Sequence, residues 1–228
     1  MKSTQNLIHI FFDMDGTLSK FYEDAKYLEL MWEKGFFRDL KPYENAVKAV
    51  KLLVLLAVGP YFRVHTLSAT QNGQPYERAE KEDWAAEHIG TIGTFFMKAG
   101  TSKAAFIVKY YDRPLTSRDI LVDDYSKNLV DWEANGGKGV KFKNGLNARG
   151  INGYNFRGAH VTHTNTPAHI AAAILDAAGI RIEDAISNYI AHEKIDGEDT
   201  QTIIDKLGEF LNSDELQELV YKNLPMPM

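Results

Sequence analysis

Cysteine is absent from the 228 residues, which excludes disulfides, thiolate nucleophiles and sulfur-ligated zinc. Positive charge is in deficit: the formal net charge is −5 at pH 7. That leaves no bulk electrostatic case for binding a nucleic-acid polymer or an anionic membrane surface. Long hydrophobic runs are missing too. The longest, Leu52 to Val58, is far too short to cross a bilayer. Residues Met1 to Asn6 lead into the first apolar run without the hydrophobic segment of a signal peptide, so a cytoplasmic protein is expected. Neither an internal repeat nor a low-complexity tract is present.

What remains has the balance of an ordinary soluble globular protein, 44% hydrophobic and 25% charged. The length suffices for one large domain, or a domain with a small insert. Leu7-Ile8-His9-Ile10 reads as a short buried strand, and it runs into Phe11-Phe12-Asp13-Met14-Asp15-Gly16-Thr17-Leu18. Two carboxylates two residues apart at a strand end emerge on the same side of a sheet. Gly16 lets the backbone turn sharply, and Thr17 is placed to hydrogen-bond within the turn. Paired carboxylates beside exposed amides are costly without a cation, so a hard divalent metal is expected.

Downstream, apolar residues recur at helical spacing from Phe21 to Glu33, with Gly35 as terminator. Pro42 is placed to open a helix over Tyr43 to Leu56, which Gly59-Pro60 ends. Tyr61 to Leu67 is rich in β-formers and runs to Ser68-Ala69-Thr70. A helix follows from Glu77 to His88, expected to turn Ala79, Trp84, Ala85 and His88 towards a sheet. Thr94 to Met97 reads as a short strand, and Thr101 or Ser102 caps a helix from Lys103 to about Tyr110. Ile120 to Val122 is a buried strand ending in Asp123-Asp124, then comes a helix over Ser126 to Ala134 and a strand over Val140 to Phe142. The Gly-, Asn- and Thr-rich stretch from Asn144 to Thr166 has no clear assignment, and Pro167 to Ala178 is helical. From Ile182 the tail reads as two or three amphipathic helices, able to pack on the core, cover a site or pair with a second copy in a homodimer.

Strands alternating with helices imply an α/β fold, a Rossmann-like parallel sheet with helices on both faces. Ligands bind beyond the carboxyl ends of such strands. Asp13, Asp15, Ser68 and Asp123 therefore converge on one edge. His160, His163 and His169 lie close together but lack acids at recognised zinc spacing.

Asp-x-Asp-Gly-Thr-Leu after a hydrophobic strand resembles the first motif of the haloacid dehalogenase (HAD) superfamily of phosphotransferases. The resemblance implies that Asp13 is a nucleophile forming an aspartyl-phosphate and Asp15 a general acid and base. It makes Ser68 the phosphoryl-binding strand-end hydroxyl, with Thr66 and Thr70 as less suitable neighbours. Lys103, in preference to Lys98, offsets the charge. Asp13, the Asp15 carbonyl and Asp123 would hold Mg²⁺, with Asp124 behind them or as an alternate ligand. Gly16, Thr17 and Ala69 are expected to face the substrate phosphate. The implied organisation is a HAD core over 1–18 and 60–180, a small helical cap over 19–59 and a helical extension over 181–228.

Within that superfamily, Gly35-Phe36-Phe37-x-x-Leu40-x-Pro42 and Glu80-Lys81-x-x-Trp84 resemble the 5'(3')-deoxyribonucleotidases, the cytosolic nucleotidase type C family. So do Asp123 to Leu129 and Lys141-Phe142-x-Asn144-Gly145. The resemblance spans about residues 7 to 180. It implies a small phosphorylated substrate, a nucleoside monophosphate, with Lys81 near its phosphate. Phe21, Phe36 and Phe37, with Trp32 beside them, would stack on a base or form the cap's own core. A sugar phosphate or other small phosphomonoester is the alternative substrate. A non-catalytic HAD-fold regulatory protein is the alternative function, and the intact Asp13, Asp15, Lys103 and Asp123 weigh against it.

Overall fold

The computed structural model describes residues 7–146 and 155–223. Its centre is a six-stranded parallel sheet: β1 (Ile8–Phe12), β2 (Phe62–Thr70), β3 (Gly93–Lys98), β4 (Asp119–Asp123), β5 (Lys138–Lys143) and β6 (Ala159–Thr162). The spatial order is β3-β2-β1-β4-β5-β6. β1 and β4 are buried at every position, as their near-continuous apolar sequences require in the middle of a sheet covered on both faces.

The helices are α1 (Tyr27–Leu30), α2 (Glu44–Leu56), α3 (Glu77–His88), α4 (Lys103–Tyr111), α5 (Ser126–Ala134), α6 (Pro167–Ala177), α7 (Ile182–Ile195), α8 (Thr200–Gly208) and α9 (Ser213–Leu219). Side-chain alternation along β1 sends Ile8, Ile10 and Phe12 to a core shared with α2, α3, α6 and α7. It sends Phe11 to the other face, against Leu67, Leu121 and the inner sides of α4 and α5. Ser102 caps α4 by accepting from Ala105 N at 3.0 Å, and Thr166 caps α6 by accepting from His169 N at 3.2 Å.

Three expectations are corrected. The helix expected from Phe21 to Glu33 shrinks to the four residues of α1. Asp24 Oδ1 captures the Lys26 amide at 2.7 Å, a local turn that competes with helix, and the segment's aromatics pack on each other around Phe21, Met31 and Phe37 instead of along one stripe. α2, placed by sequence inside the 19–59 insert, buries Val50, Leu52 and Leu53 in the main core against α6. Of the arrangements open to the tail, packing on the core is the one taken by Ile186, Tyr189, Ile203 and Leu207, which join that same cluster. In α3 it is Glu77, Glu80 and Lys81 that turn inward with Trp84 and Ala85, whereas Ala79 is exposed. The unassigned stretch after Asn144 contributes β6 beside β5, and residues 147–154 within it lie outside the described residues.

Candidate active site

The sheet reverses its winding between β1 and β4, the place where strand ends open a crevice. Their register pairs Phe12 with Val122, and Asp13 N donates to the Val122 carbonyl at 2.9 Å. Asp13 and Asp123, 110 residues apart in sequence, therefore leave the sheet side by side. Beyond Asp13 the amides of Thr17, Leu18 and Ser19 fold back onto the Met14 carbonyl. Gly16 takes φ +81°, and a Cβ there would lie 2.4 Å from Asp124 Oδ2.

Lys103 Nζ bridges the two strand ends, 2.6 Å from Asp13 Oδ1 and 2.6 Å from Asp123 Oδ2. Asp123 also accepts from Tyr125 N at 2.7 Å and Asn128 Nδ2 at 2.9 Å. Burial pushes the Asp13 carboxyl up to about 7, with Asp123 and Asp15 adding to the push and Lys103 opposing it. Burial works to lower the Lys103 ammonium, but Asp123 and Asp13 outweigh it and hold the group above the ordinary lysine value.

Asp15 is held from the other side. Lys81 Nζ donates to its Oδ2 at 2.6 Å and reaches Ser68 Oγ at 3.1 Å, the Ala69 carbonyl at 2.8 Å and Glu77 Oε1 at 2.7 Å. Against the lowering effect of burial, Asp15 and Glu77 hold Lys81 above its ordinary value. Asp15 Oδ1 is buried with no partner among the described residues. On the β5 side, Asn144 Nδ2 donates to Asp124 Oδ2 and to the Gly16 carbonyl, both at 2.9 Å. Thr17 Oγ1 accepts from Asp124 N at 3.0 Å, and Lys141 donates to the Asp124 carbonyl. Above these groups opens a cleft of about 810 Å³, with Asp13, Asp15, Lys103 and Asp124 in its floor.

Among solved structures, a D,D-heptose 1,7-bisphosphate phosphatase from B. bronchiseptica, complexed with magnesium and phosphate, is similar in fold. It has 14% identity and a TM-score of 0.53 over 74% of this chain and 98% of that one. Hydrolases of the haloacid dehalogenase-like family are similar too. The one from Xanthomonas campestris matches at 14% identity and TM-score 0.50, over 77% of this chain and 99% of that one. The one from Streptococcus pneumoniae matches at 13% and 0.50, over 74% and 98%. The chain has the haloacid dehalogenase fold. No protein-family model and no curated protein matches the sequence.

In this dehalogenase fold, Asp13, Asp15, Lys103, Asp123 and Asp124 are brought together with Lys81. Lys98 is exposed. Ser68 is fully buried beneath Lys81, and Ala69 lines the cleft in its stead. Thr66 is buried, and Thr70 donates to the Met97 carbonyl at 3.3 Å. Gly16 and Thr17 serve Asp124, the first by leaving room for it and the second by accepting its amide. Phe21 lines the cleft with Tyr22 and Met31, whereas Phe36 and Phe37 are not among its lining residues. Phe37 is 1% exposed and stacks on Phe21, and Trp32 is half exposed. His160, His163 and His169 are exposed and form no metal-ligating group among the described residues.

Glu77, Glu80 and Asn128 were given no role from sequence, although the last two fall within segments that carry the resemblance. For Glu77 a signal was present, since an acid four residues before Lys81 is the favoured orientation of a helical ion pair.

A metal fits the donor set. Asp13, Asp123 and Asp124 each offer a carboxylate oxygen, all within 4.8 Å of one another. The donors are oxygen only, as Mg²⁺ prefers. Five carboxylates (Asp13, Asp15, Glu77, Asp123 and Asp124) stand against the ammoniums of Lys81, Lys103 and Lys141.

Proposed function

We propose that this protein is a phosphomonoester hydrolase that works through an aspartyl-phosphate on Asp13 and depends on Mg²⁺. The observation that carries this reading is the pairing of Asp13 and Asp15 on the floor of one cleft, each tied by its own buried lysine. Asp13, Asp123 and Asp124 would hold the cation, which supplies charge neutralisation for a bound phosphate. A carboxylate oxygen of Asp13 attacks phosphorus, and the bond from phosphorus to the ester oxygen breaks. Asp15 gives its proton to that departing oxygen, then takes one from the water that cleaves the acyl phosphate. Lys103 holds Asp13 by one oxygen, which leaves the other for attack.

The finer reading is a nucleoside monophosphate as substrate. Phe21 and Tyr22 on the cleft wall support it, as aromatic surfaces suited to stacking on a base. A sugar phosphate is the second reading, and the burial of Phe37 favours it by removing one expected stacking surface. Phosphate release from a panel of nucleoside monophosphates and sugar phosphates with Mg²⁺, blanked with Asp13→Asn, tests both. Preferential turnover of nucleotides supports the finer reading. Preferential turnover of sugar phosphates keeps the chemistry and replaces the substrate. No turnover by folded, Mg²⁺-bound protein overturns the hydrolase.

A further inference from the structure

Helix α3 turns three charged residues inward. Glu77, Glu80 and Lys81 are 2%, 6% and 1% exposed. Buried charges are tolerated only when each is paired or hydrogen-bonded. Glu77 and Lys81 answer each other across one helical turn. Glu80 has a different kind of partner. Its Oε1 accepts from Gly35 N at 2.5 Å and its Oε2 from Phe37 N at 3.1 Å, so both oxygens of a core helix grip the backbone of the segment between β1 and α2.

The grip is repeated above and below. One turn further along, Trp84 Nε1 donates to the Leu40 carbonyl at 2.7 Å, and just before the helix Gln74 Nε2 donates to the Met31 carbonyl at 2.8 Å. Between them, Phe37 lays its ring over Lys81 Nζ at 4.6 Å, closing that ammonium from water on one side. The same ammonium fixes Asp15 through Oδ2.

We propose that Glu80 is a positioning residue, a latch that seats the Gly35–Leu40 segment so that Phe37 covers Lys81 and Lys81 in turn orients Asp15. The segment before α2 and the general acid are thereby one mechanical unit built on α3. The inference rests on the hydrolase reading for its kinetic consequence, but the latch itself does not.

The consequence is selective. Protonation by Asp15 matters for an ester whose alkoxide leaves poorly and hardly at all for one whose leaving group departs as a stable anion. Glu80→Gln keeps the size of the side chain but has one acceptor oxygen where two are needed. With Mg²⁺ present, it is expected to lower kcat/KM, which runs only as far as phosphoryl transfer to Asp13, by about tenfold or more on glycerol 3-phosphate and by less than about threefold on p-nitrophenyl phosphate. Asp15→Asn should show the same split, enlarged. Amide exchange at Gly35 and Phe37 should accelerate in Glu80→Gln while the strands of the sheet stay protected.

Equal losses of kcat/KM on both esters would reduce Glu80 to a structural contact and overturn the proposal, as would full activity on both. Retained protection at Gly35 and Phe37 would overturn the latch. Should the wild-type protein release no phosphate from these esters or from the nucleotide and sugar-phosphate panel, the hydrolase reading falls, and the exchange measurement alone decides the latch.

Discussion

Replacing Gly16 by alanine would strain the site twice. At φ +81° the backbone disfavours any side chain, at a cost of order 1–3 kcal/mol. The new methyl would also press on Asp124 Oδ2 at 2.4 Å and on the Tyr22 ring at 2.6 Å. Gly16→Ala is therefore expected to lower the Tm modestly and to weaken Mg²⁺ binding by about tenfold or more, read by calorimetric titration. Unchanged affinity would mean that Asp124 does not face the cation.

Asp13 makes a prediction with a sign. Burial raises its carboxyl from 3.8 to about 7, so between those values the metal-free folded protein keeps a proton that the unfolded chain has released. Metal-free stability should fall as pH rises through that window. Cation binding should expel the proton at pH 6 and release almost none at pH 8. Titrating Mg²⁺ in two buffers of different ionisation heat measures this directly, and equal heats at pH 6 would show Asp13 already ionised.

Elements differ in how far their own sequence explains them. β1, β4, α4 and α5 follow from local pattern, since apolar runs and capping residues agree with where they pack. α3 does not, because its inward charges need partners supplied by the loop after β1, by β2 and by the 31–40 segment. α7 is the clearest test of belonging. Ile186 is fully buried in the core that α2 and α6 share. Ile186→Ala should cost about 2–5 kcal/mol in urea unfolding, comparable to Ile174→Ala in α6. An α7 that merely leaned on the sheet would leave the unfolding midpoint in place.

The molecule as a whole should lose stability in acid through a pair of histidines far from the cleft. His9 on β1 and His65 on β2 meet at 3.1 Å between Nδ1 and Nε2, stacked with Phe11. Burial lowers both, and His65 falls to about 4, with His9 and Arg63 adding to the effect. Below the ordinary value of 6.5 the unfolded chain takes up protons that the folded sheet refuses. Stability from this pair is complete above pH 6.5 and drains away as pH falls to about 4. Subtracting the stability curve of His65→Leu from that of the wild type isolates the contribution, because Asp13 affects both alike. A difference that stays flat from pH 7 to 4 would remove the histidines from the acid response.

The strand-helix order and the convergence of Asp13, Asp15 and Asp123 on one sheet edge were legible in the chain alone, whereas Lys103 came only through the resemblance. Strand-end acids after apolar runs are local signals, and a parallel sheet carries strand ends to one edge whatever lies between. Other features belong to the assembled fold. Lys81 meets Asp15 across 66 residues and Glu80 meets Gly35 across 45, and a charge reveals nothing of its burial until its partners arrive. The short aromatic segment before α2 has no period to read, so only packing showed that Phe37 faces its neighbours and not the cleft. The docking of α7 was hidden for the same reason: an amphipathic helix declares that one face will be covered, and tertiary structure alone decides by what.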